Sequence, residues 1–173
     1  MSQTQVRVAV PTDAPRLRQI ELLAGEQFRQ TAYAAVADHE PFSLDELAAY
    51  ERAGRSWVAV DADDQPIGYV VVDVVDGDAH IEQVSVLPHH QGRGVGRALM
   101  DIVEQWARET GRPAITLTTF TDISWNAPLY RHLGFEVMAD SEFGPELRSL
   151  VAEEAAHGLD PETRVCMRMY LER

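Results

Sequence analysis

A mixed α/β sheet is the fold class that this sequence predicts, and three observations lead to it. Apolar runs of strand length recur at 5–10, 56–60, 67–75, 80–87, 114–120, 135–139 and 165–171. Stretches with helical periodicity separate several of them. The strands between 56 and 87 are joined by tight polar turns, whereas 114–120 is reached only through a long helix. Hairpins and a crossover in one chain mean a mixed sheet, not a uniformly parallel one. The 173 residues are 45% hydrophobic and 25% charged, the size of about one domain and the composition of a folded one. We therefore expect a single domain over 1–173.

Each element has its own signal. QVRVAV at 5–10 alternates and reads as a strand. Thr12 and Asp13 are capping residues and Pro15 suits a first helical turn, so a helix follows. Its expected buried face is Leu17, Ile20, Leu23 and Ala24, with Gly25 as the stop. Residues 26–42 are irregular but carry Phe28, Tyr33 and Phe42. Ser43 and Glu46 form a capping-box pattern for a short helix through Glu51. Asp76-Gly77-Asp78 is a hairpin signal between the strands at 67–75 and 80–87. Val95, Ala98, Leu99, Ile102, Val103 and Trp106 then form a stripe at 3.6 spacing, and Gly111 ends that helix. After the strand at 114–120, a short helix spans Trp125 to Leu133 and stops at Gly134. Phe135 to Ala139 is a strand, a helix opens at Gly144-Pro145, and the last strand alternates from Val165 to Leu171.

Charge and composition exclude several function classes. Fifteen basic and 28 acidic residues give −13 at pH 7, which repels nucleic acid and anionic membrane and favours cationic partners. Every basic residue is Arg, so a lysine Schiff base and a Walker-type phosphate loop are absent. One cysteine, Cys166, forbids an intramolecular disulfide and a cysteine-based zinc cage. The six histidines have no ligand spacing, and adjacent His89 and His90 point apart, so no metal is expected. MSQTQVRVAV lacks a basic head and a long apolar stretch, and the run Tyr69–Val75 is broken by Asp73. A soluble, cytoplasmic protein is the expectation.

The chemistry-bearing segment is IEQVSVLPHHQGRGVGRALM, residues 81–100. A strand runs into a turn holding Gly92, Gly94 and Gly96, and an amphipathic helix follows at once. Glycines let a ligand approach the backbone, and the helix start adds partial positive charge. Together they suit a pyrophosphate. The dinucleotide fingerprint does not fit, because the spacing is G-x-G-x-G. Taken alone, the turn also reads as a purely structural one.

Gln91-Gly92-Arg93-Gly94-Val95-Gly96 fits the pattern (Gln/Arg)-x-x-Gly-x-(Gly/Ala), and Trp125-Asn126-Ala127-Pro128-Leu129-Tyr130 with Leu133-Gly134-Phe135 follows it. In that order they resemble the two motifs of the GNAT superfamily of N-acetyltransferases, over about residues 5–139 plus the last strand. The resemblance implies a strongly twisted mixed sheet flanked by helices, with the strands at 80–87 and 114–120 splayed around acetyl-CoA. It implies that the backbone from Gly92 to Arg97 holds the pyrophosphate, with Gln91, Arg93 and Val95 in the same loop. It implies that Val84, Ser85 and Val86 pair with the pantetheine arm, and that Tyr130 lies near the thioester sulfur. Many members carry an Asn seven residues before that Tyr; here the position is Ile123. Asn126, four before it, is the substitute toward pantetheine or acceptor. Residues 140–162 lengthen the usual link between the last two strands as an inserted helical segment.

Acetyl transfer needs a neutral amine, an oxyanion donor and a proton for the leaving thiolate. The N–H of Val86 or a neighbour suits the oxyanion, and Tyr130 suits the proton. Glu82 is the expected general base, because a charged residue in mid-strand is a poor sheet former. His80, two residues earlier, is the runner-up. Phe28, Tyr33, His80, Asp122 and Trp125 are candidate acceptor contacts. The expected reaction is direct transfer to a primary amine, a small and cationic one given the acidic chain. Acetylation of a protein N-terminus or lysine is one alternative, and a non-catalytic acetyl-CoA sensor is another. Homodimers are common in the superfamily, but no residue here specifies one.

Overall fold

The computed structural model describes residues 3–172. Met1 and Ser2, part of the segment read for a leader, and Arg173 lie outside the described residues. The strands are β1 (Gln5–Val8), β2 (Ser56–Val60), β3 (Pro66–Val75), β4 (Asp78–Val86), β5 (Ala114–Phe120), β6 (Glu136–Val137) and β7 (Arg164–Tyr170). The helices are α1 (Ala14–Gly25), α2 (Leu44–Arg52), α3 (Val95–Glu109), α4 (Ala127–His132) and α5 (Pro145–Ala156). The strands follow the order β1-β2-β3-β4-β5-β7-β6. β1 with β2, β2 with β3, β5 with β7 and β6 with β7 pair antiparallel. β4 and β5 pair in parallel through Ala79↔Ile115 and His80↔Thr116. The sheet is mixed, as the hairpins and the crossover demand.

The chain divides into two compact units, with residues of β3, β4 and α3 falling in each. The first takes Met1–Val72 with Glu82–Val103, and the second Asp73–Ile81 with Glu104–Arg173. In the first unit, Leu17 and Ile20 of α1, Leu47 of α2 and Val58 and Val71 of the sheet are buried. Val95, Leu99 and Val103 bury the stripe of α3. That helix seats closely because Gly68 has no side chain. A Cβ there would lie 3.1 Å from Ser85 O and 3.2 Å from Val95 Cγ1.

Several expectations for α1 are corrected. Leu23 is 41% exposed. At about 100° per residue it stands roughly 120° around the helix from Leu17, outside the buried stripe. Asp13 does not cap α1. It closes a 3₁₀ turn at Pro11–Asp13, accepts from the Val10 N–H at 2.9 Å and pairs with Arg7 at 2.8 Å. α1 ends at Gly25 as expected, but without a left-handed cap: with φ of −64° at Gly25 the chain passes into a 3₁₀ turn, Glu26–Gln30. β1 ends at Val8, short of the expected Val10. At α2 the capping box is present: Glu46 N–H donates to Ser43 Oγ at 3.1 Å, and Ser43 N–H donates to Glu46 Oε2 at 2.7 Å.

In the second unit the β3–β4 turn places Asp76 and Gly77 at φ 50° and 86°, the left-handed pair of a tight hairpin. The Asp76 carboxylate accepts from the Glu146 and Leu147 N–H groups at 3.0 and 2.9 Å, and Glu146 accepts from the Asp76 N–H in return. A hairpin 70 residues away thus caps α5. Leu147 of α5 is buried with Val75, Met138 and Cys166. β6 has two residues instead of five; the Met138 N–H still donates to Cys166 O of β7, but the Ala139 N–H turns to Glu142 Oε2. The Phe135 N–H donates to Tyr130 O at the end of α4. α4 begins at Ala127, since Asn126 has non-helical φ and ψ of −115° and −118°.

Candidate active site

In the first unit, Pro88 ends β4 through a 3₁₀ turn, Pro88–His90, and the chain passes through the glycine turn into α3. Gly92 and Gly94 have φ of 71° and 83°, a region that side-chain-bearing residues avoid. Gly96 differs. It lies in the first turn of α3, and nothing stands within 4 Å of a Cβ built on it. The first intrahelical bond runs from Ala98 N–H to Gly94 O at 3.0 Å, so the amides of Val95, Gly96 and Arg97 have no helical partner. This is the backbone arrangement that receives an anion. Gln91 turns back and donates from Nε2 to Val86 O at 3.1 Å, bracing the turn against the end of β4. Arg97 pairs with Asp101 at 2.9 Å on the exposed side of α3, and Arg93 is exposed. Val84 and Val86 are half-buried, and Ser85 is buried and accepts from Gln83 Nε2 at 2.9 Å. Glu82, Phe28 and Tyr33 are half-buried in this unit.

In the second unit, β5 and the start of α4 carry the other candidates. Thr119 Oγ1 donates to Asn126 Oδ1 at 2.5 Å. The Asn126 carbonyl accepts from the Tyr130 N–H at 3.0 Å, which fixes Tyr130 one turn into α4. The Tyr130 ring meets Phe135 edge-on with centroids 5.7 Å apart. Burial pushes its phenol up to about 12, so it stays protonated at neutral pH. Ile123 is buried. Asp122 is exposed, and Trp125 is 37% exposed. His80 is buried, with Nδ1 2.8 Å from Thr116 Oγ1, and desolvation lowers its pKa to about 4. Its imidazole is neutral and enclosed, a poor position for a base that must meet an incoming amine.

Sequence reading missed the two threonines that orient these groups. Three threonines, Thr116, Thr118 and Thr119, fall in this seven-residue strand, and Thr116 and Thr119 are buried, which polar side chains accept only with a bond to make. Among the described residues, no group of three or more His, Cys, Asp or Glu is placed to hold a metal ion. Among them also, no helix is long and apolar enough to cross a membrane.

The acetyltransferase (GNAT) family model matches residues 17–135, a span that includes the glycine turn, Tyr130 and Phe135. The chain belongs to the GNAT family. A streptothricin acetyltransferase from Streptomyces lavendulae is 37% identical over 86 residues, 47% of this chain and 44% of that protein. The chain thus matches less than half the length of this curated relative. The PaiA N-acetyltransferase of Thermoplasma acidophilum, solved in complex with coenzyme A, aligns over 98% of this GNAT chain and 100% of its own. Its TM-score is 0.74 at 13% identity. The ribosomal-protein-S18-alanine N-acetyltransferase of Escherichia coli aligns over 99% and 96%, with a TM-score of 0.67 at 16% identity. At such identities these two structures establish the GNAT fold and nothing finer.

Proposed function

We propose that this GNAT protein moves an acetyl group from acetyl-CoA to a primary amine, with a small amine as the acceptor. The observation that carries the reading is the turn at Gly92 and Gly94, whose left-handed backbone opens the first turn of α3 toward an anion. In this reading the amides from Gly92 to Arg97 hold the pyrophosphate, with Gln91 bracing the loop. The backbone of Val84, Ser85 and Val86 pairs with the pantetheine arm. The Val86 carbonyl has a second lone pair free of Gln91 for this purpose.

The amine attacks as its neutral form, and Glu82 removes the proton, directly or through water. The nitrogen lone pair forms the C–N bond, and the thioester oxygen becomes an oxyanion held by an N–H at or beside Val86. Collapse breaks the C–S bond, and the thiolate takes a hydrogen bond and then a proton from the region of Tyr130. No covalent enzyme intermediate is needed. Phe28, Tyr33, Asp122 and Trp125 are proposed acceptor contacts, and the acidic chain favours a cationic acceptor. Acetyl-CoA as substrate fits a cytoplasmic setting.

Thermal unfolding with and without acetyl-CoA, beside NADH and ATP, tests the cofactor. Ligand at 100 times its Kd should add about 2.7 kcal/mol, visible as a melting shift for acetyl-CoA alone. Thiol release in a screen of amines then tests transfer. Binding without release for any amine or N-terminal peptide would support a sensor instead. No shift at millimolar acetyl-CoA would sink the reading.

A further inference from the structure

No step of the transfer proposed above uses α5, yet its last turn is bonded into the sheet of the second unit. Thr118 Oγ1 of β5 donates to Glu154 Oε1 of α5 at 2.7 Å. The same hydroxyl oxygen accepts from Arg164 Nη2 of β7 at 3.0 Å. Arg164 stands opposite Phe120 in the β5–β7 register, with its guanidinium 4.7 Å from the centre of that ring. Its Nε lies 3.5 Å from Glu154 Oε2. One helix and two strands thus meet in a closed ring of three side chains. Glu154 and Arg164 are 22% and 15% exposed, and charges so far removed from water persist because each has the other and a hydroxyl as partners.

The next residue of β5 points to the opposite face and makes the bond on which α4 depends. Thr119 Oγ1 donates to Asn126 Oδ1 at 2.5 Å, and Asn126 O accepts from the Tyr130 N–H at 3.0 Å. Successive residues of one strand are therefore fastened on both faces, Thr118 to α5 and Thr119 to the residue that starts α4. A planar peptide of fixed length joins them, so a displacement at Thr118 is passed to Thr119. One more backbone bond, Thr121 N–H to Thr163 O at 3.0 Å, carries the pairing past Phe120 before the chain turns toward α4. Side-chain bonds count most at such a place, where the ladder runs out.

We propose that Glu154 is a positioning residue for Tyr130. Its bond to Thr118 fixes the end of β5, and Thr119 and Asn126 hand that position on to the phenol. Glu154 touches no reacting atom. The inserted segment thereby serves the transfer step through the strand it grips. The inference rests on the reading of Tyr130 as proton donor to the departing thiolate. That role needs the phenol within hydrogen-bond reach of the sulfur, and a misplacement of about 1 Å costs as much as about 10²-fold in rate.

Amide hydrogen exchange and steady-state kinetics on the full chain test it. Thr118→Val removes the hydroxyl at nearly constant shape and leaves the Glu154–Arg164 pair in place, so it should fold. Without any ligand, Thr118→Val and Glu154→Ala should each speed exchange of the Tyr130 amide by about threefold or more. The Ala98 amide, bonded to Gly94 O in the other unit, should stay within about twofold of the parent. With any amine that turns over, both variants should lower kcat about tenfold and leave the KM for acetyl-CoA within about twofold. Glu154→Gln still accepts from Thr118 and should return kcat to within about twofold of the parent. Added to Tyr130→Phe, Glu154→Ala should cost less than about twofold more in kcat, because the hydroxyl it positions is gone. A parent-like Tyr130 amide in Thr118→Val would overturn the proposal, as would kcat losses that simply add in the double variant. An unchanged kcat in Tyr130→Phe alone is a different failure, which removes the proton-donor reading and the inference with it.

Discussion

Two glycines two residues apart make different demands on the chain. Gly94 sits at φ 83°, so a side chain there is strained whatever space surrounds it. Gly96 is helical with open space around its Cβ position, and Ala there improves helix propensity. Gly94→Ala should therefore cost roughly 1–2 kcal/mol and remove acetyl-CoA stabilisation, read by melting. Gly96→Ala should keep the ligand shift and gain up to about 1 kcal/mol. Equal losses in both variants would mean that the turn is read by shape alone. Tyr130, held from behind by Phe135 and by the Asn126 carbonyl, is the second residue whose setting decides its chemistry. Tyr130→Phe should lower kcat on the order of 10²-fold with acetyl-CoA affinity intact. An unchanged kcat would reassign the proton to water.

At the scale of elements, α5 shows how a helix is placed by a residue far away in sequence. Its Gly144-Pro145 entry was legible, and the helix runs Pro145–Ala156. Its docking was not, because the cap comes from the β3–β4 turn. Asp76→Ala removes two bonds to the first turn of α5 and should cost about 1–2 kcal/mol in chemical unfolding. Gly144→Ala should cost at least as much, since a Cβ there would strike the Asp76 carboxylate. A neutral Asp76→Ala would show that burial of Leu147 alone holds the helix. α4 makes the complementary point. Its start depends on a Thr119–Asn126 bond that no local pattern announces, although Thr119 and Asn126 are seven residues apart.

For the molecule as a whole, His80 makes stability depend on pH. Its folded pKa, about 4, lies below the ordinary value of 6.5. Between those values the unfolded chain takes up the proton and the native chain does not. Stability therefore falls as the pH drops from about 6.5 to about 4, by roughly 3 kcal/mol at full extent. Glu21 and Asp78 act in the opposite sense, because burial raises both carboxyls and their native forms favour the proton. His80→Asn should flatten the wild-type slope in that window, measured by denaturant unfolding at several pH values. A parallel slope in the variant would locate the proton elsewhere.

The sequence by itself determined whatever depends on neighbours along the chain. The strand and helix order followed from apolar periodicity, the α2 cap from Ser43 and Glu46, and the hairpin from Asp76 and Gly77. The anion turn followed from glycines at positions that only glycine occupies without strain. Tertiary structure decided whatever depends on register and face. It enclosed His80 against Thr116 and sent Asp76 to cap α5. Local conformation is governed by sterics within a few residues. Burial and partnership are set by which strands pair and in what register, and a shift of one residue would turn a strand side chain such as His80 to the other face.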